Sequence, residues 1–415
     1  MKIGAWLIGS YGNVAAVTMV GAAALKRGLV EGVGMVTERP AFLGLDLFAT
    51  GELVFGGHDI REGDPYASAR EFSRRTGAIP AELVEAVRGD LEAWGRNIRP
   101  GTVRHAGPAV QPLASPGVRG AGARGKDIIE LLTDDLRDFR RRERLDRLVV
   151  LNLASAEMDF PGLERIRTLA ALERCLESDE PLPPSVVYAW AALEAGAAYV
   201  NFTSSTGTAV PALAALARAR GLPHMGRDAK TGETLVKSVL APMFPARNLR
   251  VLSWEGHNLL GNLDGAVLQD PGHQKAKIAH KDTILKQILR GQDVHSRVRI
   301  DYVPSLDDWK TAWDFIHFQG FLGTRMSLQF TWQGCDSVLA APLALDLLRL
   351  AELALRRGEA GLMRHCACFF KAPQGVREQA FSRQDDLLLA YLRKVRKGRK
   401  HPHAIPLLKG ERREP

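Results

Sequence analysis

Cysteine is scarce in this sequence, and so are long apolar runs. The 415 residues include four cysteines, and no two of them form a Cys-x-x-Cys pair. We therefore expect a cytosolic chain with free thiols rather than a disulfide framework or a thiolate zinc site. No run approaches the roughly eighteen consecutive apolar residues of a membrane helix, and Met1-Lys2-Ile3 leads directly into a strand-like segment. We expect neither a membrane span nor a signal peptide.

Acidic residues are outnumbered by basic ones, but most of the excess lies at the carboxyl end. The formal net charge is +9, and residues 393–415 hold nine Lys or Arg and two Glu, a surplus of 7, so the other residues carry +2. A nucleic-acid binder would need basic residues interleaved with exposed aromatic residues outside this tail. We therefore expect a solvated basic tail and no nucleic-acid partner.

The amino-terminal residues have the pattern of a dinucleotide-binding unit. Residues 2–8 are typical of a buried strand, Gly9-Ser10-Tyr11-Gly12-Asn13 forms a turn, and residues 14–26 are typical of an apolar helix. In such a unit the backbone N–H groups and the helix N-terminus face a pyrophosphate. Leu7 stands where the first glycine of the usual motif would be, so a plain strand–helix turn is the alternative.

Further strands end in residues suited to binding. Residues 53–60 are strand-like and contain Gly56-Gly57, which permits close approach of a ligand, before His58-Asp59. Residues 33–36 are predicted to form another strand, with Glu38 beyond it as a possible ribose partner. Residues 148–153 are an apolar strand that ends in Ala154-Ser155-Ala156-Glu157. Strands that alternate with helices predict a parallel, doubly wound sheet, which binds ligands at the carboxyl ends of its strands.

Residues 226–281 hold the most informative stretch. Gly226-Arg227-Asp228-Ala229-Lys230-Thr231-Gly232-Glu233-Thr234 combines glycine, hydroxyl and charged residues in one short segment, which is typical of a phosphate or nucleotide site. Gly261-Asn262-Leu263-Asp264-Gly265 follows. Lys277 and Lys281 are four apart, so on a helix both ammonium groups would project from one face. Taken singly, each piece could also be a solvated turn or helix face.

In order and spacing, these blocks resemble the myo-inositol-1-phosphate synthase family, also called inositol-3-phosphate synthase. That family carries G-D-D-x-K-S-G-Q-T-x-x-K-S, then N-x-L-G-N-N-D-G, then S-K-E-x-S-K. The corresponding blocks here are 226–238, 258–265 and 277–281. The helix that Asp336 opens and the Lys371-Ala372-Pro373 segment resemble two further family motifs. His58 replaces the tryptophan of the family's V-F-G-G-W-D-I segment.

The resemblance implies an α/β fold with two structural parts. A Rossmann-like, doubly wound NAD-binding domain would comprise residues 1–237 and 334–392. An inserted α+β domain for catalysis and tetramerisation would comprise residues 238–333, and 393–415 would be the basic tail. Within the insertion, residues 249–254, 297–303 and 325–332 are strand-like without regular crossover helices, which predicts a mixed or antiparallel sheet.

The resemblance also implies which residues form the site. The catalytic residues would be four lysines and two aspartates, namely Lys277, Lys281, Lys310, Lys371, Asp264 and Asp336. The cofactor-binding residues would be Gly9, Tyr11, Gly12, Asn13, Val14, Asp59, Ala154, Ser155, Thr203, Asp228, Thr231 and Asn262. The substrate-binding residues would be Thr231, Asn258, Leu260, Lys281 and Lys310.

The implied activity is NAD-dependent conversion of D-glucose 6-phosphate to 1D-myo-inositol 3-phosphate, through oxidation, enolisation, intramolecular aldol closure and re-reduction. A monovalent or divalent cation is a further implied cofactor, and the implied assembly is a cytoplasmic homotetramer. Two alternatives stay open at this point. The chain could be a homologous NAD-dependent cyclase that acts on another sugar phosphate, or a non-catalytic NAD-binding regulatory protein.

Overall fold

The computed structural model describes residues 1–118, 124–178, 180–270 and 284–397. Its larger sheet has seven parallel strands in the order β11-β6-β5-β4-β1-β2-β3. These strands are β1 (Ile3–Ile8), β2 (Leu53–Asp59), β3 (Ile98–Pro100), β4 (Arg147–Asn152), β5 (Ala198–Asn201), β6 (Pro223–Gly226) and β11 (Gly361–Leu362). The central strands are apolar and buried along their length because helices cover both faces of the sheet. The predicted parallel, doubly wound sheet is confirmed.

The helices of the described chain are α1 (Asn13–Lys26), α2 (Pro65–Thr76), α3 (Ala81–Ala86), α4 (Arg88–Gly95), α5 (Gly125–Glu143), α6 (Leu169–Glu177), α7 (Pro184–Glu194), α8 (Pro211–Ala219), α9 (Glu233–Leu240), α10 (Met243–Ala246), α11 (Leu263–Val267), α12 (Asp336–Arg356) and α13 (Phe381–Lys397). Successive side chains of β1 enter different cores: Ala5 and Leu7 pack with α1 and α12, whereas Trp6 and Ile8 pack with α5 and α7. This alternation follows from the two-residue period of a strand. None of these helices is long and apolar enough to cross a membrane.

A second sheet follows α10 and has the order β10-β9-β7-β8. Its strands are β7 (Arg250–Leu260), β8 (His295–Tyr302), β9 (Trp309–Gln319) and β10 (Arg325–Cys335). β7 pairs with β8 in parallel, and β9 pairs antiparallel with both β7 and β10. The expected mixed sheet is therefore confirmed. The chain then returns to the larger sheet, where β11 pairs with β6. The exact domain boundaries stay a prediction.

Strand β9 went unpredicted although it is central in the second sheet. Its inward-facing residues include Asp314, which has no exposed surface, so the apolar alternation that marks a half-buried strand is interrupted. Asp314 accepts a hydrogen bond from Trp254 Nε1 at 2.7 Å and pairs with the buried Lys237 ammonium at 2.9 Å. Trp254 and Lys237 are 60 and 77 residues away from Asp314 in sequence. The local sequence pattern therefore gave no sign that a buried aspartate on this strand has partners.

The predicted strand over residues 33–36 is wrong. Val33 is 85% exposed, and Val36–Glu38 forms a single 3-10 turn. The buried carboxylate of Asp346 on α12 accepts hydrogen bonds from the backbone N–H groups of Val36 at 2.6 Å and Thr37 at 2.9 Å. Because the N–H groups of Val36 and Thr37 bind this carboxylate, they are not available to pair with a neighbouring strand. The strand that pairs with β1 on this side of the sheet is β2. Glu38 pairs with Arg349 on α12.

Candidate active site

A cavity of about 530 Å³ opens at the carboxyl ends of β1, β2, β4 and β5. Open parallel sheets bind ligands at this edge, and the volume falls in the range of small-molecule sites. Most of the residues proposed from the sequence line it, namely Gly9, Gly12, Asn13, Val14, Asp59, Ala154, Ser155, Thr203, Asp228, Thr231, Asn262, Asp264, Asp336 and Lys371. The second sheet contributes to the same wall through the segment after β7 and the turn before β9.

Four proposed residues lie off this wall. Tyr11 directs its backbone N–H to Asp59 Oδ2 at 2.7 Å, and burial together with the Asp59 charge raises the pKa of its phenol to about 12. Asn258 and Leu260 are buried on β7, and Lys310 is the second residue of β9. Lys277 and Lys281 fall outside the described residues.

The glycine turn between β1 and α1 has a backbone geometry suited to a phosphate group. Gly9 has a φ of +88°, which favours glycine, and Gly12 donates its N–H to Gly9 O at 3.0 Å. A Cβ on Gly57 of β2 would lie 1.9 Å from Ser10 Oγ and 2.2 Å from Leu7 O. The turn therefore packs so closely against β2 that a side chain at residue 57 would collide with it. Leu7, which stands in place of the first glycine of the usual motif, is a fully buried residue of β1.

Helix α1 starts at Asn13, and its N-cap residue, Gly12, supplies no side-chain hydrogen bond. The first N–H groups of a helix lack intrahelical acceptors and carry partial positive charge, so they suit an anion. At the neighbouring strand end, the carboxylate of Asp59 accepts from the N–H groups of Tyr11 and Arg61. An acid in this position can also accept from a ribose hydroxyl. This donor and acceptor set fits a dinucleotide.

His58, which replaces the family's tryptophan, is held in one tautomer. Trp6 Nε1 can only donate, and it lies 2.9 Å from His58 Nδ1, so Nδ1 accepts and the ring proton is on Nε2. His58 Nε2 then donates to Asp135 Oδ2 at 3.1 Å. The substitution is accommodated because Trp6 and Asp135 together orient the imidazole beside the cavity.

On the opposite wall, Lys371 and Asp228 form an ion pair. Lys371 Nζ lies 2.9 Å from Asp228 Oδ1, and the two side chains are 11% and 5% exposed. Their backbones pair as well, because Lys371 N donates to Asp228 O at 2.6 Å and Lys230 N donates to Phe369 O at 2.8 Å. The ammonium group of Lys371 is therefore largely buried and held by a carboxylate.

Lys230 lies behind this pair and is almost completely buried. Its ammonium donates to Gln384 Oε1 of α13 at 2.5 Å. Burial lowers the pKa of Lys230 to about 8, the nearby Cys368 opposes this, and the positive charge of Lys371 adds to it. The region around Asp228 therefore contains two largely buried ammonium groups, a setting that favours stabilisation of negative charge on a bound substrate.

Asp264 and Asp336 lie at the starts of two helices that reach the cavity. Asp264 is in the first turn of α11, which Asn262 caps by accepting the Gly265 N–H at 3.0 Å. Asp336 is the first residue of α12 and accepts a hydrogen bond from Thr231 Oγ1 at 3.4 Å. Among the described residues, no group of three or more His, Cys, Asp or Glu side chains could hold a metal ion.

Sequence reasoning missed two carboxylates of this wall, the half-buried Glu157 and the buried Asp308. Glu157 follows β4 and accepts hydrogen bonds from Ser185 N and, at 2.6 Å, from Ser185 Oγ. Burial raises the pKa of Glu157 to about 7. Asp308 is 1% exposed and accepts hydrogen bonds from several elements. The doublet Asp307-Asp308 before Lys310 was the available signal, but nothing local in the sequence distinguishes the buried aspartate from the exposed one.

Comparisons with known proteins agree with this geometry. A family model described as myo-inositol-1-phosphate synthase, of the NAD-binding class, matches residues 3–393. Inositol-3-phosphate synthase 1 of Bacteroides thetaiotaomicron is 32% identical over 392 residues, which are 90% of this chain and 89% of that protein. Inositol-3-phosphate synthase of Dictyostelium discoideum is 33% identical over 244 residues, 56% of this chain and 47% of that protein. That second alignment thus spans about half of the relative.

Two solved structures share the fold. Inositol-3-phosphate synthase from Caenorhabditis elegans has a TM-score of 0.82 at 24% identity, with 97% of this chain and 90% of that chain covered. A myo-inositol-1-phosphate synthase-related protein from Thermotoga maritima has a TM-score of 0.74 at 24% identity, with 94% and 98% covered. At this identity the structural likeness bears on the fold alone, and the family assignment comes from the sequence matches.

Proposed function

The chain is a member of the myo-inositol-1-phosphate synthase family, and on that premise we propose that it converts D-glucose 6-phosphate to 1D-myo-inositol 3-phosphate with NAD. The reaction is an isomerising ring closure with no net change of oxidation state. Bound NAD supplies a reversible hydride acceptor. The protein must therefore hold a dinucleotide and a phosphorylated sugar in one cavity and stabilise negative charge on the sugar oxygens.

The observation that supports the proposal is that the residues suited to a dinucleotide and those suited to a phosphorylated sugar line one cavity. The glycine turn and the uncapped start of α1 form one wall, and the Lys371–Asp228 pair forms another. An ammonium group 11% exposed and oriented by a carboxylate is a preorganised donor to an oxygen that gains negative charge. We assign this role to Lys371. Asp228 orients the ammonium and limits its movement.

The remaining roles rest on resemblance. We propose that Lys277 also contacts the sugar oxygens and that Lys281 and Lys310 serve mainly the phosphate and the C1 oxygen. Thr231, Asn258 and Leu260 are assigned to substrate binding. Asp264 and Asp336 would orient the lysines, relay protons or contact a monovalent or divalent cation.

We propose a homotetramer that forms through the second sheet. Trp313, Phe315 and His317 stack along the outward face of β9, with ring centroids 6.2 and 6.4 Å apart, and Trp313 is 36% exposed. His257 of β7 packs edge-on against Trp313 at 5.7 Å. An aromatic row on an open sheet face supports association with a second copy. The four free cysteines support a reducing, cytoplasmic location.

The test is to incubate the purified protein with NAD and glucose 6-phosphate and to follow products by phosphorus NMR. We expect an inositol phosphate signal that requires NAD, without accumulation of NADH in proportion to product. Parallel incubations with the 6-phosphates of mannose and galactose distinguish the proposed substrate from that of a related cyclase. If none of these sugars is converted although the protein binds NAD, the chain is a non-catalytic NAD-binding protein and the proposal is wrong.

A further inference from the structure

Asp308, in the turn before β9, accepts hydrogen bonds from four residues, three of which line the cavity. Its Oδ1 accepts from Asn13 Nδ2 at 3.1 Å, from Asn262 Nδ2 at 3.1 Å and from Ser337 Oγ at 3.0 Å. Its Oδ2 accepts from Ser337 N at 2.7 Å and from Cys335 Sγ at 3.2 Å. The carboxylate is 1% exposed.

The donors come from elements with different tasks. Asn13 is the first residue of α1, at the glycine turn. Asn262 begins the segment that leads from the second sheet to Asp264, and its other amide atom caps α11, so the amide has one orientation that satisfies both bonds. Ser337 lies in the first turn of α12, next to Asp336. All three residues line the cavity.

Two simpler roles do not account for this arrangement. A carboxylate has about four lone-pair positions, and five donors already surround this one, so no position is left for a hydrogen bond to a substrate. A helix cap for α12 would need the two Ser337 contacts alone. The contacts to Asn13 and Asn262 add nothing to that cap, yet they bring both residues to the same oxygen atom.

We propose that Asp308 is a positioning residue that joins the cofactor side of the cavity to the substrate side, so that occupation of either side strengthens binding on the other. The inference rests on the proposed function, because it takes Asn13 to be on the NAD side and Asp264 and Asp336 to be on the sugar phosphate side. Asn262, which the resemblance assigns to the cofactor, leads directly to Asp264, and Ser337 directly follows Asp336. Coupling between two bound ligands is reciprocal. Loss of the shared carboxylate therefore weakens the effect of NAD on the sugar and of the sugar on NAD equally.

The experiment measures this coupling without ring closure. Calorimetry gives the Kd of glucitol 6-phosphate, which lacks the aldehyde needed for ring closure, in the absence of NAD and at a saturating NAD concentration for each variant. For the parent we expect NAD to lower this Kd by about fivefold or more, the lower end of common allosteric couplings. For Asp308→Asn, whose amide N–H₂ must face one of the existing donors, we expect the ratio of the two Kd values to fall to within about twofold of one.

Asp301→Asn is the matched control, because it makes the same chemical change at an exposed aspartate of β8 that is not among the residues lining the cavity. Its Kd ratio should equal that of the parent. Asn262→Ser is a second variant that keeps a side-chain oxygen for the α11 cap and loses the donor to Asp308. In this variant too, the ratio of the two Kd values should fall to near one. If Asp308→Asn does not fold, the Asn262→Ser variant tests the positioning role instead.

The outcomes separate the two proposals. A parent that binds NAD and glucitol 6-phosphate without coupling, or folded Asp308→Asn and Asn262→Ser variants that keep the parent ratio, would overturn the positioning role while leaving the proposed function intact. A parent that binds neither ligand would overturn the proposed function and this inference with it. A fall in melting temperature with an unchanged Kd ratio would show that Asp308 serves the fold alone.

Discussion

Lys371 Nζ and Asp228 Oδ1 lie 2.9 Å apart on the wall of the cavity, although 143 residues separate them in sequence. The pair forms because segments 228–230 and 369–371 run side by side, with a bridge between Ala229 and Phe370. It places a nearly buried ammonium group where a substrate oxygen can reach it. The same contact means that Lys371 serves the fold as well as the proposed chemistry.

Replacing Lys371 by Ala should lower turnover by about 10²–10³, the usual cost of one preorganised donor to a developing oxyanion. The melting temperature should fall too, because the buried carboxylate of Asp228 loses the ammonium group that lies 2.9 Å from it. Single-turnover rate and melting temperature are measured on the same preparation.

The double variant Lys371→Ala/Asp228→Asn separates the two effects. Removal of both charges should recover much of the lost stability and none of the lost rate. A double variant that regains stability together with a rate within about threefold of the parent, under 1 kcal/mol, would show that Lys371 has a structural role only.

Glu157 should make the protein less stable as the pH rises through neutrality. Burial raises its pKa in the folded state to about 7 from an ordinary 4.5. Between these values the folded state holds the proton more tightly than the unfolded state, so the stabilisation is complete below about 4.5 and is lost as pH rises to about 7. This loss is on the order of 3 kcal/mol.

The variant Glu157→Gln, which resembles the protonated acid, should remove the pH-dependent loss of stability that Glu157 causes. Melting temperatures of parent and variant between pH 5 and 8 check the prediction: the difference between the two proteins should shift in favour of the variant as pH rises. A difference that is constant over this range would contradict the assigned pKa.

Gly57→Ala should disrupt the glycine turn between β1 and α1. The new methyl group would lie 2.2 Å from the backbone oxygen of Leu7, which cannot move without distorting β1. We expect a loss of about 1–3 kcal/mol in the free energy of unfolding and a weaker affinity for NAD. Denaturant titration and calorimetry measure the two quantities.

Gly21→Ala is the matched control for that change, because Gly21 lies within α1 and a Cβ there meets no atom within 4 Å. It should raise the free energy of unfolding by about 0.5–1 kcal/mol and leave NAD affinity unchanged. If both substitutions changed the free energy of unfolding and the NAD affinity equally, the close contact between the turn and β2 would not be the reason for glycine at residue 57.

Phe315→Glu should dissociate the proposed tetramer, because a carboxylate in the middle of the aromatic row on β9 would be buried at the contact between copies. Sedimentation velocity at micromolar concentration should show smaller species. Leu131→Glu, at a leucine 46% exposed on α5, introduces the same charge on the NAD-binding side and should leave the assembly unchanged. A parent that sediments as a monomer would refute the tetramer.

The sequence by itself determined the class of the fold and most of the cavity wall. Buried parallel strands are continuous apolar runs, and a turn that meets a phosphate needs glycine, so both leave local patterns that can be recognised without coordinates. The order of the motifs around Asp228, Asp264, Asp336 and Lys371 was likewise visible, and the structure brings these four residues to one cavity.

Only the tertiary structure decided the features that depend on distant partners. Residues 33–36 have strand-like composition, but Asp346, more than 300 residues away, binds the backbone N–H groups that a strand would pair. β9 was concealed because the inward-facing Asp314 is satisfied by Trp254 and Lys237.

Asp308 and Asp307 are adjacent and chemically identical, yet one is buried against Asn13, 295 residues away, and the other pairs with Arg75 at the surface. A buried carboxylate is tolerated only where the fold supplies its donors. Sequence pattern does not encode where those donors converge, so the tertiary fold alone distinguishes the two aspartates.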